Sequence, residues 1–242
     1  GSEMNMNSVV SRREIGKKLA FASEKVYPQF SVLDPTFTYT LPKRQTRNGV
    51  IDAFVHVMEQ YLTRPANAEI QDRFAESIAQ TLVKEGPAAL KKPDDYDCRA
   101  NIMLAATMAL NHIIAVGVPQ DWSSHLIGHE LTALYGLDHA ETLAIALPKV
   151  MEYKKDRKLD KIVQLGRRVF GIEEKSKAKA ANATIEAVKK FFVKMGAGVE
   201  LKSYKLPADA PEAVGKNIAR TYKAIGENGD ITPEDVVKIL KI

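Results

Sequence analysis

Two stretches of this chain gather the side chains that could do chemistry. Gly49-Val-Ile-Asp-Ala-Phe-Val-His56 is one. Asp121-Trp-Ser-Ser-His-Leu-Ile-Gly-His-Glu-Leu-Thr-Ala-Leu-Tyr-Gly-Leu-Asp-His139 is the other, and together they hold four of the five histidines in 242 residues. Asp52 and His56 stand four apart in an apolar segment, so a helix places them one above the other on a single face. His125 and His129 repeat that spacing, and His139 follows a Gly136-Leu-Asp138 turn. A carboxylate and several imidazoles on apolar helices form a donor set that can hold a divalent metal ion.

The surroundings sharpen this reading. From Val50 to Met58, Asp52 and His56 are the only polar groups, and an ionised carboxylate in such company costs several kcal/mol unless it is partnered. Taken alone, the Asp52–His56 spacing is met by an intrahelical pair, and a lone His125 or His129 by a satisfied core histidine. Three histidines between residues 125 and 139, with an Asp/His helix elsewhere, favour one shared ion. The donors are nitrogen and oxygen only, which speaks against a closed structural zinc site and for a catalytic Fe²⁺ or Zn²⁺ with an open position. The order His125-x-x-x-His129-Glu130 does not fit zincin chemistry, which needs His-Glu-x-x-His. Glu130 is expected to point about 100° away from His129 at 3.6 residues per turn. His112 and Cys98 have no partner in sequence and read as structural.

Helices must carry these residues. Pro42 suits a helix start, and Ile51, Phe54, Val55, Met58 and Leu62 recur at helical spacing until Thr63-Arg-Pro65 ends the run. A second helix is expected over 68–84, with Ile70, Phe74, Ile78 and Leu82 on one stripe. Gly86-Pro87 should break it, and a short helix should close at Pro93. Residues 95–116 read as a third helix, almost wholly apolar after Ala100 and hence central and buried. The His-bearing helix spans 122–135 with Gly136 as its cap. Asp138 is placed to cap the next helix, which runs from His139 through Val150 and is bent at Pro148. Amphipathic helices at 156–170, 175–196, 210–224 and 233–241 complete the chain, the last opened by Thr232-Pro233. Residues 1–40 differ: Val9–Ser11, Lys18–Ala22 and Phe30–Pro35 are short β-like runs, too few for a core of their own. The expected fold class is mainly α, a helical bundle over 41–242 with a short β-like segment at 1–40.

Lys and Arg are mixed with Asp and Glu, and the net charge of +5 comes without an Arg-rich stripe. That argues against a nucleic-acid partner. A single cysteine excludes an internal disulfide and suits a reducing compartment. No apolar run is long enough to span a membrane and no signal peptide opens the sequence, so a cytoplasmic location is expected.

Gly1-Ser-Glu-Met-Asn5, Ser31-Val-Leu-Asp-Pro35, Asp52-Ala-Phe-Val-His56, Gly117-Val-Pro-Gln-Asp-Trp122, His125-Leu-Ile-Gly-His-Glu-Leu-Thr-Ala133 and Gly136-Leu-Asp-His-Ala140 closely resemble the iron-containing (group III) alcohol dehydrogenases. The nearest branch looks like the bacterial NAD(P)H-dependent butanol dehydrogenases and aldehyde reductases. The resemblance extends over essentially the whole chain. It implies the C-terminal, all-helical metal domain of the iron-containing alcohol dehydrogenase/dehydroquinate synthase-like fold at 41–242, with 1–40 as the last strands of a nucleotide-binding domain. It further implies Asp52, His56, His125 and His139 as metal ligands, the last two separated by 139 − 125 = 14 as in the family. His129 matches a histidine lining the cleft near the nicotinamide, and Asn5 and Lys18 match contacts to NADP or NAD. The family's Gly-Gly-Gly-Ser phosphate-binding turn is absent, so the rest of the nucleotide domain is expected to lie outside this chain. Where the branch often has a histidine after an Asn, this sequence reads Asn228-Gly229.

The implied chemistry is reversible hydride transfer between a nicotinamide and a small primary alcohol or aldehyde. Fe²⁺ or Zn²⁺ would act as the Lewis acid and His129 as a proton relay. Trp122 is expected either to shape an apolar substrate pocket or to anchor the core, and a homodimer is compatible with the resemblance. Two alternatives stand beside it: a helical metal-dependent phosphohydrolase, which usually needs an adjacent His-Asp pair where this chain has Asp138-His139, and a non-catalytic helical domain.

Overall fold

Helix α1 (Lys43–Tyr61) is the axis about which the chain packs. In the computed structural model residues 2–242 are described, Arg13 by its backbone alone; Gly1, which opens one of the motifs above, lies outside the described residues. Val50, Ile51, Phe54, Val55, Val57 and Met58 are fully buried. Phe54 meets Phe170 and Phe192 edge-on and tilts against Phe191, with centroids 5.2–6.5 Å away. The apolar face of α1 thus turns towards α6 (Leu159–Phe170) and α7 (Lys177–Met195).

Helix α2 (Glu69–Lys91) runs unbroken through Gly86-Pro87, contrary to the expected break. Gly86 is there for proximity: a Cβ would come within 2.6 Å of Val50 Cγ1 and 3.2 Å of Met195 Sδ. Pro87 forgoes one helical donor without ending the helix. The predicted stripe of α2 is only half used, since Ile78 and Leu82 are buried while Ile70 is 67% exposed.

Helix α3 (Tyr96–Met108) stops eight residues before the expected 116 and is not central. Leu104 is 51% exposed. A helix apolar on every side carries no stripe that tells which face is inward. Ile102, Met103 and Ala106 of α3 instead line an open cavity of ≈ 370 Å³ with Val32, Phe37 and Leu41.

Helices α4 (Ser123–Tyr135) and α5 (His139–Tyr153) pack on each other, and α5 stands between two cores. Leu143, Ala144 and Leu147 of α5 join the core around α1, whereas Ile145, Ala146 and Val150 face Val214 and Ile218 of α8 (Ala210–Ala219) and Val236 and Ile239 of α9 (Pro233–Lys241). Thr232 caps α9 with a reciprocal bond to Asp235, as its sequence foretells.

Ahead of the bundle, β1 (Asn7–Arg12) and β2 (Lys17–Ala22) form an antiparallel hairpin in register from Asn7–Ala22 to Arg12–Lys17. Gly16, at φ +60°, supplies the left-handed residue of its turn. The run from Phe30 to Pro35 is irregular and not a strand: Asp34 caps a short 3-10 turn at Pro35–Thr38, while Phe30 and Val32 face solvent. The hairpin is fastened to α8 and the turn after it, where Lys17 Nζ donates to Asn217 O (3.2 Å) and Thr221 Oγ1 (2.7 Å). Asn217 Nδ2 in turn donates to Gly16 O and to Glu130 of α4. Glu130 therefore points away from His129, as expected, and holds the hairpin. No helix among the described residues is long and apolar enough to cross a membrane.

Candidate metal centre

Three helices bring the predicted residues together: Asp52 and His56 from α1, His125 and His129 from α4, His139 from the first residue of α5. Their meeting point is Asp52 Oδ1. His56 Nε2 lies 3.4 Å from it, His125 Nε2 3.7 Å and His139 Nε2 3.8 Å. His56 Nε2 and His125 Nε2 are 3.3 Å apart. Donors placed tetrahedrally about 2.1 Å from an ion would be spaced by about 3.4 Å; Asp52, His56 and His125 have donor atoms mutually within 4.8 Å, and His139 approaches Asp52 but lies outside that trio. Asp52 Oδ1 is buried and accepts no hydrogen bond from any described residue. A buried anionic oxygen among three imidazole nitrogens suits a divalent cation.

Electrostatics follow from the same crowding. Burial alone would raise the Asp52 carboxyl, but the imidazoles of His125, His56 and His139 draw it far below the carboxylate range. Burial, reinforced by neighbouring His125, lowers His56 to about 3. Burial likewise lowers His139 to about 4. Burial opposes a charge on His125 too, yet the neighbouring carboxylates of Asp52 and Glu59 lift it to about 9. Burial, His139 and Lys18 push His129 down to about 2, so His129 is neutral at physiological pH. Its ring lies 5.1 Å from that of His139, and Lys18, on a strand packed against α4, makes itself felt at Asp52, His129 and His139. Asn5 is buried and its Oδ1 accepts from Asn7 N at 2.9 Å.

The frame around the cluster explains its geometry. Between His125 and His129, Gly128 lets α4 press on α5; a Cβ would fall 2.8 Å from Thr142 Oγ1. That hydroxyl donates to His139 O at 2.7 Å. Asp138 occupies the cap position of α5 but makes no side-chain cap bond, contrary to expectation. Its carboxylate is taken by Arg44 (2.9 Å) and Asn48 (2.8 Å) of α1, which ties the start of α5 to the helix bearing Asp52.

The loop before α4 is held from below. Asp121 N donates to Glu59 O at 2.9 Å, Asp121 Oδ1 accepts from Ser123 N, and Oδ2 accepts from Lys158 (2.6 Å) and Lys154 (3.3 Å). Trp122 follows in a left-handed conformation (φ 61°), rare for a bulky residue. Its indole meets the rings of His56 and His125 edge-on at 5.4 and 5.1 Å, so it walls the cluster. His112 instead caps a 3-10 turn at Ile113–Ala115. Buried Cys98 donates to Glu85 O.

Asp121 gives a pH prediction. Burial would raise its carboxyl, but Lys158 and Lys154 outweigh that and hold it at about 2, below the ordinary 3.8. A depressed acid contributes stability that is full above the unfolded value and is lost as pH falls through the folded one. Melting temperature should therefore drop between pH 4 and pH 2, and less steeply in Asp121→Asn. Thermal melts across that window check it; equal slopes would show that Asp121 carries none of the acid sensitivity.

Sequence reasoning missed Glu59. It is buried, and its Oε1 accepts from His125 N at 3.0 Å and lies 3.3 Å from His125 Nδ1. The signal was present: residues 52, 56 and 59 continue one helical stripe.

Comparison with known proteins finds relatives along the whole chain. Residues 46–242 match the family model described as the Fe-containing alcohol dehydrogenase family, C-terminal. The chain is 52% identical over 233 residues to the NADPH-dependent aldehyde reductase YqhD of Escherichia coli, covering 96% of this chain and 60% of that protein. It is 38% identical over 244 residues to NADH-dependent butanol dehydrogenase A of Clostridium acetobutylicum, covering 100% of this chain and 63% of the other. The crystal structure of E. coli YqhD superposes with a TM-score of 0.96 at 49% identity, over 99% of this chain and 62% of that one. For NADH-dependent butanol dehydrogenase A of Thermotoga maritima the TM-score is 0.93 at 34% identity, over 99% of this chain and 62% of that one. The chain thus spans about three fifths of the length of these relatives. It belongs to the iron-containing alcohol dehydrogenase family.

Proposed function

We propose that this chain is the metal-holding portion of a metal- and NAD(P)-dependent alcohol dehydrogenase or aldehyde reductase, with Asp52, His56, His125 and His139 as ligands of one divalent ion. The observation that carries this is the convergence of three Nε2 atoms on the buried Asp52 Oδ1. Bound there, Fe²⁺ or Zn²⁺ would supply Lewis acidity towards the oxygen of a small alcohol or aldehyde. The chain's own residues do the rest. Helices α1, α4 and α5 hold the imidazoles, and Trp122 screens two of them from water. His129, whose ring lies 5.1 Å from that of His139, is the group we assign to relay the alcohol proton. Lys18 and Asn5 are the contacts to NADP or NAD on this side of the cleft. Residues 1–40 belong with the nucleotide-binding unit and 41–242 form the metal-binding one; the exposed Val9, Val10, Leu19 and Phe21 of the hairpin support a further cover. The cytoplasm is the setting.

Elemental analysis of the purified chain, with an assay of butanal-dependent NADPH oxidation, tests the proposal. One ion per chain, and oxidation far slower than by full-length E. coli YqhD, is the expected outcome. No uptake of Fe²⁺ or Zn²⁺ at stoichiometric supply would sink the metal assignment, and turnover matching the relative would sink the division of labour.

A further inference from the structure

His56 Nδ1 and His139 Nδ1 are buried and find no hydrogen-bond partner among the described residues. Of the three imidazoles that face Asp52, His125 alone has its outer nitrogen engaged by a protein group. That group is Glu59, one turn beyond His56 on α1, with a side chain only 3% exposed. A single oxygen, Oε1, receives the backbone N–H of His125 and lies 3.3 Å from its ring Nδ1. Two points of one residue held by one atom fix both the backbone of α4's first turn and the rotation of the ring. A carboxylate only accepts, so a neutral His125 must carry its proton on Nδ1 and direct the lone pair of Nε2 towards Asp52. The main chain of Glu59 adds a third hold, through its carbonyl and Asp121 N.

We infer that Glu59 is a positioning residue for the metal centre: it fixes the orientation of His125 and holds a proton on Nδ1, leaving Nε2 as the nitrogen that faces the ion. The inference rests on the metal reading above. A carboxylate behind a ligand histidine raises its basicity as well as fixing its angle, and losing such a partner typically costs about 10–100-fold in metal affinity. Glu59 touches neither substrate nor ion and acts only through His125.

Two replacements separate geometry from bulk. Glu59→Gln keeps an acceptor, and Glu59→Leu keeps the volume without one. Zn²⁺ affinity of the whole chain is read by competition with a chromophoric chelator. Glu76→Gln is the control: Glu76 is as buried, bonds Tyr61 and Arg168, and lies off the centre. The expected result is a loss of about 10–100-fold for Glu59→Leu, a clearly smaller loss for Glu59→Gln, and an unchanged affinity for Glu76→Gln. An affinity of Glu59→Leu equal to wild type overturns the role, and so does an equal loss in the Leu and Gln variants. If Glu59→Leu does not fold, nitrogen-15 spectra of the Zn²⁺-loaded Gln variant decide: a protected Nδ1–H on His125 supports the role and its absence overturns it. Failure of the wild type to bind Zn²⁺ or Fe²⁺ overturns the metal reading itself, whereas binding indifferent to Glu59 overturns only this inference.

Discussion

Asp52→Asn should abolish stoichiometric ion uptake and, with it, the rise in melting temperature that the ion produces. Asn keeps the shape of the side chain and removes the only negative charge towards which His56, His125 and His139 all point. A divalent ion would then sit among neutral donors, with no charged ligand to offset its desolvation. The loss should exceed the roughly 10–100-fold that changes behind the ligands bring. An ion present at about 1,000 times its Kd stabilises the folded chain by about 4 kcal/mol. At about 2–4 °C per kcal/mol for a chain of this size, that is a rise of about 8–16 °C in wild type. Scanning calorimetry with and without chelator reads it. Asp52→Asn should show no metal-dependent rise, although its metal-free form stays folded because the packing face of α1 is untouched. A retained rise would move the ion to another site.

The parts legible in the sequence were those where local pattern and tertiary use coincide. The helical spacing of Ile51, Phe54 and Met58 corresponds to a face that is buried, and Gly136 ends α4 in the left-handed conformation expected of a cap. The ligand candidates were legible because polar groups stand out in apolar helices. What failed were single residues whose use is set by a distant partner. Gly86 looks like a breaker and serves as the point where α1 touches α2. Asp138 looks like a cap and is claimed by Arg44 and Asn48. Helix α3 looks central because it is apolar all round, but α1 and α5 fill that place. Glu59 was passed over for the same reason: a glutamate late in a helix is unremarked until α4 brings His125 to it.

Gly128→Val should weaken ion binding by tenfold or more while leaving a folded chain. Gly128 sits on α4 between His125 and His129, and even a bare Cβ there would lie 2.8 Å from Thr142 Oγ1 and 3.2 Å from Leu143 Cδ2. Leu143 is fully buried, so the strain cannot be vented at the surface. Thr142 holds His139 through its bond to the carbonyl of that residue. Forcing α4 from α5 therefore separates His125 from His139, which belong to one cluster on two helices. Overpacking of this kind costs about 1–3 kcal/mol, or about 2–12 °C at the sensitivity used above. Lower stability alone does not weaken binding, so a remote twin of the same design is needed. Gly166 of α6 is that twin: a Cβ there would lie 2.0 Å from Thr184 Oγ1 of α7, and neither residue touches the cluster. Gly166→Val should lower the melting temperature and keep wild-type Zn²⁺ affinity in the chelator competition, measured well below both transitions. Equal affinities in the two variants would mean that the spacing of α4 and α5 does not set the ligand geometry, and that the three imidazoles are held by their own side-chain contacts.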